Sequence, residues 1–371
     1  MDAPRLPPVL VAAGGTGGHL FPAAALAGAL SQRGVAVHLA TDRRATRFGD
    51  AFADGVIHVV ASATLRSRNP VAVVQTAAGL GRGLFQAWRL IGHLRPAAVV
   101  GFGGYPSVPP VLAAVWRGVP TLIHDANAVV GRANRLLAPR VTAIATTFPD
   151  IFREAPELAA KATLTGNPVR AAVIAAAATP YTMPSDALRL LVFGGSQGAR
   201  IMADIVPAAI ARLEPGLRAR LHIVQQAREE DVPRVQGAYA TLTVAAEVAP
   251  FFADLPAHVA ASHLVVARSG ASTVAELAAI GRPSILVPLP HAIDQDQFAN
   301  AGVLERGGGA LRLVQEAFTP ERLAAEIAGL ARAPQRLAAM AAAARSLGKL
   351  DAAERLADLV LNVAAILRKT V

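Results

Sequence analysis

"VAAGGTGGHLFPAAALAGAL", residues 11 to 30, is the stretch that decides the fold. An apolar run ends in Gly14, Gly15, Gly17 and Gly18, then comes His19, then an alanine-rich helical pattern. Strand, glycine turn and helix in this order form the opening unit of a doubly wound parallel sheet. The glycines let backbone N–H groups approach an anion at the helix N-terminus. The helix is predicted over about residues 22–33, with His19 at its start. The helix dipole there disfavours an imidazolium. The ring reads either as a neutral base or as a donor to a phosphate or carbonyl.

Working outward, "VAVHLATD", "GVIHVVA", "AAVVGFGGY" and "PTLIHDAN" read as strands, with helices predicted over residues 71–94 and within "PSVPPVLAAVWRG". The pattern then restarts. "LVFGGSQGARIMADIVPAAI" echoes the opening stretch, and "RLHIVQQ", "LTVAAEV", "HLVVA" and "PSILVPLP" follow as strands. This predicts an α/β chain of two Rossmann-like, doubly wound parallel-sheet domains, residues 1–168 and 169–349, breaking near "TGNPVRAAV". A final helical pattern over residues 350–371 suits either domain.

Composition agrees. The 371 residues are 53% hydrophobic and 17% charged, with no cysteine, which excludes disorder, disulfides and thiolate chemistry. No secretory leader is read at the start, and no apolar run reaches the ~18 residues that span a bilayer. The net charge of +10 favours anionic partners. Aromatics at 5% are too few for rows of base-stacking platforms, so no nucleic acid is expected.

The polar clusters fall where ligands bind such sheets, after the strands. "GGSQGAR" is a second anion cradle, with Ser196 as a donor. "RSGASTVAEL" is a third helix start, where Glu276 reads as a cap or as a bidentate acceptor for ribose hydroxyls. "HDAN" ends a strand with three polar groups in four residues. Asp294 and Asp296 have the spacing that holds a divalent metal on a diphosphate, but three helix starts can take that charge, so no metal is expected. Asp42 keeps a dinucleotide reading open, although Leu20 stands where its third glycine belongs. In the basic helix before Arg95, Leu84, Phe85, Trp88 and Ile91 with Arg82 and Arg89 read as a core stripe or as a face that dips into an anionic membrane.

Taken together, "GGTGGHLFPA", "GFGGYPS", "HDAN", "GNPVR", "GGSQGAR", "RSGASTVAEL" and "QDQFANA" resemble the MurG family in order and spacing, over almost the whole chain. These are the N-acetylglucosaminyltransferases that convert lipid I into lipid II in bacterial cell-wall synthesis. The resemblance implies a GT-B fold whose last helix, residues 350–371, joins the first domain. It implies UDP-N-acetylglucosamine (UDP-GlcNAc) and lipid I as substrates, anionic phospholipid as a partner, no cofactor, and a peripheral place on the cytoplasmic face of the inner membrane. By motif position the donor falls to Thr16, Gly17, Gly18, Asn127, Arg170, Ser196, Phe252, Ala271, Ser272, Thr273, Val274, Ala275, Glu276 and Gln297. The acceptor side falls to Gly103, Gly104 and Tyr105, and catalysis to His19 and Asp125. The chain departs from the family's usual HEQN at Asp125 and Ala126, where the carboxylate is one methylene shorter.

Overall fold

The computed structural model describes residues 7–14, 16–42, 52, 56–62, 70–195, 198–290 and 292–366. By its contacts the chain divides into two compact units, Met1–Arg170 with Leu350–Val371, and Ala171–Lys349.

The first unit holds strands β1 (Val9–Ala12), β2 (Val37–Thr41), β3 (Val56–Val59), β4 (Ala98–Gly101), β5 (Thr121–Asp125), β6 (Ala143–Thr146) and β7 (Ala162–Leu164). They form one sheet in the order β3-β2-β1-β4-β5-β6-β7, every pair parallel. Its helices are α1 (Gly17–Gln32), α2 (Pro70–Leu94), α3 (Val108–Trp116), α4 (Arg132–Leu137) and α5 (Pro156–Ala159). The order reverses between β1 and β4, which makes a crevice at the carboxyl ends of those strands.

Both faces of this sheet's central strands are covered, which is why β1 and β4 read as unbroken apolar runs. Val9 and Val11 of β1 pack on one side with Leu20, Leu26 and Leu30 of α1. Leu10 and Ala12 point the other way, toward Ala87 and Ile91 of α2 and Val111 of α3.

The second unit runs α6 (Ala171–Ala176), β8 (Leu188–Phe193), α7 (Arg200–Ala211), α8 (Pro215–Arg218), β9 (Leu221–Gln226), α9 (Val232–Thr241), β10 (Ala245–Ala249), α10 (Leu255–Ala261), β11 (Leu264–Ala267), α11 (Ala271–Ile280), β12 (Ser284–Leu286), α12 (Asp296–Arg306), β13 (Ala310–Arg312), α13 (Pro320–Ala331) and α14 (Pro334–Leu347). Its six-stranded parallel sheet has the order β10-β9-β8-β11-β12-β13, reversing between β8 and β11. The chain closes with α15 (Ala352–Ile366).

Three strands escaped the sequence reading. β6, β7 and β13 are short and each carries a polar residue, Thr146, Thr163 and Arg312, so none reads as an apolar run. Helix α1 also starts five residues before the expected Pro22, which lies inside it. The proline ring removes one bond, to the carbonyl of Gly18 (i−4), and Gly18 is exposed at the helix start.

Helix α15 completes the core of the first unit, where Leu356, Ala357, Val360 and Val363 are buried with Leu26 and Leu30 of α1. The Arg33 guanidinium lies 2.6 Å from Glu354 and 3.1 Å from Asp358 at the rim. Leu356→Ala should lower the unfolding free energy of this unit by about 2–5 kcal/mol. Arg33→Ala should lower it by under ~1 kcal/mol, because that cluster is half in water. Denaturant unfolding of the two variants checks the ranking.

Candidate active site

Thr16 is the N-cap of α1, with φ −122° and ψ 150°. Its carbonyl accepts from the N–H groups of His19 and Leu20, both at 3.0 Å. Its hydroxyl bonds no backbone N–H and instead lies 2.9 Å from His19 Nδ1. The His19 ring is half-buried among glycines. A Cβ on Gly103 would stand 3.3 Å from Cδ2 and Nε2, one on Gly104 3.6 Å from Cε1, and one on Gly14 3.6 Å from Nδ1. Gly103 and Gly104 have φ of +86° and +71°, in the region where a side chain is strained. Tyr105 follows them and opens a short 3-10 turn after β4. Gly17 is buried and Gly18 exposed in the first turn of α1. The first unit therefore gathers Thr16, Gly17, Gly18, His19, Gly103 and Gly104 at one switch point.

β5 ends in His124 and Asp125. The His124 Nε2–H donates to the Gly166 carbonyl at 3.0 Å, deep in the unit. Burial pushes its pKa down to about 4; the bond to Gly166 opposes this and the nearby His19 adds to it. Asp125 is 1% exposed. Its carboxylate accepts from the N–H of Asn127 at 3.1 Å, the N–H of Gly131 at 2.9 Å and the Asn134 side-chain amide at 3.1 Å. Burial raises its pKa against the pull of those donors. Asp125 thus ties down the loop carrying Asn127. The sequence reading missed Asn134, whose amide also donates to the His124 carbonyl at 2.9 Å. Arg170 lies with its guanidinium carbon 4.5 Å from the centre of the Phe21 ring.

In the second unit α11 starts at Ala271 behind an extended Gly270, directly after β11. Ser272, Thr273, Ala275 and Glu276 are half-buried on its first turns. Val274 is fully buried in the core, so any contact it offers a ligand is through its backbone. The Ser272 hydroxyl is buried without a hydrogen bond among the described residues. Gln297 lies near the start of α12, where its Oε1 accepts from the Leu289 N–H at 3.0 Å. That contact turns the amide nitrogen away as the donor end. Its backbone carbonyl accepts from Ser269 Oγ at 2.8 Å. Arg268, unremarked in the sequence reading, is buried and donates to the carbonyls of Val287 and Pro288 and to Gln315 Oε1. An arginine after the apolar strand run "HLVVA" was the available signal. Phe252 packs edge-on against His258, ring centres 5.0 Å apart. Ser196 lies outside the described residues.

Asp296 accepts from the Gln297 N–H at 2.8 Å, and burial raises its pKa. Asp294 has a left-handed φ of 69°. Among the described residues no cluster of three or more His, Cys, Asp or Glu forms. Asp42, the alternative ribose acceptor, is buried after β2.

The helix before Arg95 divides by face. Phe85 is 62% and Trp88 37% exposed, and Arg82 and Arg89 are exposed. Ile91, expected on the same outer face, is instead 1% exposed and belongs to the core, and Leu84 is half-buried against it. The reason is rotational: at 100° per residue one side of α2 must cover the sheet, and Ala87 and Ile91 lie on that side. The Arg89 guanidinium lies 5.9 Å from the Phe85 ring centre and that of Arg117 4.2 Å from Trp88. Trp116, beside Arg117, is also exposed.

Comparison with known proteins agrees with this geometry. Residues 9–146 match the glycosyltransferase family 28 N-terminal domain and residues 189–356 its C-terminal domain. The chain is 61% identical over 366 residues to the UDP-N-acetylglucosamine–N-acetylmuramyl-(pentapeptide) pyrophosphoryl-undecaprenol N-acetylglucosamine transferase of Rhodopseudomonas palustris strain BisB18, covering 98% of both chains. It is 60% identical to the Nitrobacter winogradskyi protein of that name, covering 96% of this chain and 98% of the other. The crystal structure of Acinetobacter baumannii MurG superposes with a TM-score of 0.78 at 30% identity, covering 95% of this chain and 99% of that one.

His124 carries a pH signature. Its folded pKa is depressed to about 4, below the ordinary 6.5, so the unfolded chain binds this proton more tightly. Its contribution to stability is therefore full above pH 6.5 and lost as pH falls through the window toward 4. The loss should approach ~1.4 kcal/mol per pH unit within that window. Unfolding of wild type and His124→Gln, compared between pH 7 and 4, should show the slope difference; parallel curves would remove it.

Proposed function

The chain belongs to glycosyltransferase family 28, in its MurG line, and from that membership we infer that it moves N-acetylglucosamine from UDP-GlcNAc onto lipid I, giving lipid II for peptidoglycan. The observation that carries this reading is the 61% identity to a transferase of that activity across 98% of both chains. Two parallel-sheet α/β units of the GT-B class fit it.

The reaction is a direct displacement. The C4 hydroxyl of the N-acetylmuramoyl unit attacks C1 of N-acetylglucosamine, UDP leaves, and the anomeric centre inverts. Negative charge grows on the departing diphosphate, where a helix N-terminus and a guanidinium stabilise it. In the second unit the α11 N-terminus, from Ala271 through Thr273, and Ser196 take the diphosphate. Val274 and Ala275 contribute backbone, Glu276 takes the ribose hydroxyls, Phe252 borders the uracil, and Gln297 donates its amide to the sugar. In the first unit Arg170, Thr16, Gly17, Gly18 and Asn127 are assigned to the donor. Gly103, Gly104 and Tyr105 are assigned to the acceptor, and His19 takes its proton. Asp125 is a positioning residue in this scheme, because its oxygens already hold the loop of Asn127. No metal is assigned a role, since helix N-termini and Arg170 supply the positive potential.

The test is turnover of UDP-GlcNAc and lipid I in excess EDTA. Lipid II and UDP should form at an undiminished rate, and NAD should not bind. Loss of turnover restored by magnesium would move Asp294 and Asp296 into the chemistry. Glu276→Ala should weaken UDP about 10- to 100-fold in calorimetry, the size of a lost charged hydrogen bond. Unchanged affinity would remove the ribose assignment.

Lipid I carries a polyprenyl chain, so the reaction takes place at a membrane surface. Among the described residues no helix is long and apolar enough to cross a membrane. We assign the contact to the outer face of α2 at the cytoplasmic leaflet: Phe85 and Trp88 enter the headgroup boundary, with Leu84 at the margin, and Arg82 and Arg89 meet anionic lipid. Arg66 and Arg68 lie outside the described residues. Each arginine adds about 1 kcal/mol at such a surface. Binding to vesicles should require acidic lipid and weaken with salt. The Phe85→Ser, Trp88→Ser double variant should lose vesicle binding and keep its fold and UDP affinity. Unfolding of that variant would return both rings to a structural role.

A further inference from the structure

We propose that Gln226 is a positioning residue for the nucleotide donor, its one side-chain amide fixing the spacing between the glycine turn after β8 and the loop after β10. This rests on the reading that gives the first to the diphosphate and Phe252, on the second, to the uracil.

Gln226 is the last residue of β9, which lies between β8 and β10 in the sheet. It is 7% exposed, so both ends of its amide need partners. The oxygen accepts from the Gly194 N–H at 3.1 Å, and the nitrogen donates to the Pro250 carbonyl at 3.2 Å. One partner can only donate and the other only accept, so the amide has a single orientation. The strand ladders do not make this tie. The register of β8 on β9 runs to Val192 opposite Gln225, and Gly194 lies past it. On the other flank the Ala227 N–H donates to the Ala249 carbonyl at 3.1 Å, and the next residue, Pro250, has no N–H with which to continue. The Gln226 side chain adds one bond on each flank.

Both loops are built to pass that restraint on. A Cβ on Gly194 would stand 2.2 Å from the Ala199 nitrogen, so holding Gly194 holds the start of α7. At the far end of the turn Gly198, with φ +67°, leans on Arg228, two residues after Gln226; a Cβ there would be 3.1 Å from Arg228 Cγ. In the other loop Phe252 is seated edge-on against His258. Uracil and diphosphate are joined covalently through the ribose, so a ligand carrying both needs the two loops at one spacing. A fragment carrying one of them does not. Loss of the tie therefore acts on UDP as a whole and spares its parts, whereas damage to the fold or to one loop weakens the fragments as well.

The test is calorimetry on the full chain with UDP, uridine and inorganic pyrophosphate, the two fragments read by competition with UDP. Gln226→Met fills the same space without an amide, and Gln226→Asn keeps an amide too short to span both partners. Each variant should weaken UDP roughly 10-fold while uridine and pyrophosphate stay within about 3-fold of wild type. In turnover the donor KM should rise and the acceptor KM should not. UDP affinity within about 3-fold of wild type in both variants, or fragments weakened as much as UDP, overturns the proposal. If Gln226→Met does not fold, Gln226→Asn decides alone. The wild type separates the two levels. If it binds UDP no more tightly than uridine or pyrophosphate, the assignment of the two loops fails and this proposal with it. If it does bind UDP more tightly and the variants keep that advantage, only the role of Gln226 fails.

Discussion

Burial of both faces of the central strands of each parallel sheet is the constraint from which the rest follows. Every residue of β1, β4 and β11 is buried, and their backbone groups are committed to parallel ladders. Side chains along those strands are taken up by the cores. Polar chemistry is left to the carboxyl ends, above all where neighbouring connections diverge, between β1 and β4 and between β8 and β11. Helices α1, α7 and α11 begin there, each bringing unsatisfied N–H groups. Glycine is needed where the chain must pass close to such a turn, as Gly103 and Gly104 do against His19.

Chemistry at the end of a buried sheet demands that polar groups sit partly out of water, and each must then be satisfied. The chain solves this twice with the same device. Asp125 gathers two backbone N–H groups and one amide around a carboxylate, holding the loop that carries Asn127. Arg268 gathers two carbonyls and the Gln315 amide around a guanidinium, beside the Ser269 that fastens α12. One knot uses negative charge and the other positive, and both lie next to a residue assigned to the donor. His124 takes the third course and stays neutral, its ring serving as a strut between β5 and the Gly166 turn.

Helix α2 shows how one element serves two solvents. Ala87 and Ile91 close the core while Phe85 and Trp88 face outward. Arginines stand over both outer rings, so the exposed apolar surface is already paired with the cations that would meet acidic headgroups.

Much of this was legible in the residues themselves, because strand runs, helix periods and glycine turns are local. The repeated strand–glycine–helix unit at Gly14 and Gly194 determined two doubly wound halves, and "GGTGGH", "HDAN" and "RSGAST" marked three polar stretches at the carboxyl ends of strands, where β1, β5 and β11 end. Weaker signals were lost: β6, β7 and β13 are short and interrupted by Thr146, Thr163 and Arg312, and the true start of α1 was hidden by Pro22. What only the tertiary structure decided are the contacts between residues far apart in sequence. The carboxylate of Asp125 meets Gly131 and Asn134 only once the chain has folded back onto it. Ile91 reads as part of an outer stripe until the sheet claims that side of the helix. Periodicity fixes which residues share an element, but the direction a side chain faces and the partner it finds depend on packing, which no local pattern contains.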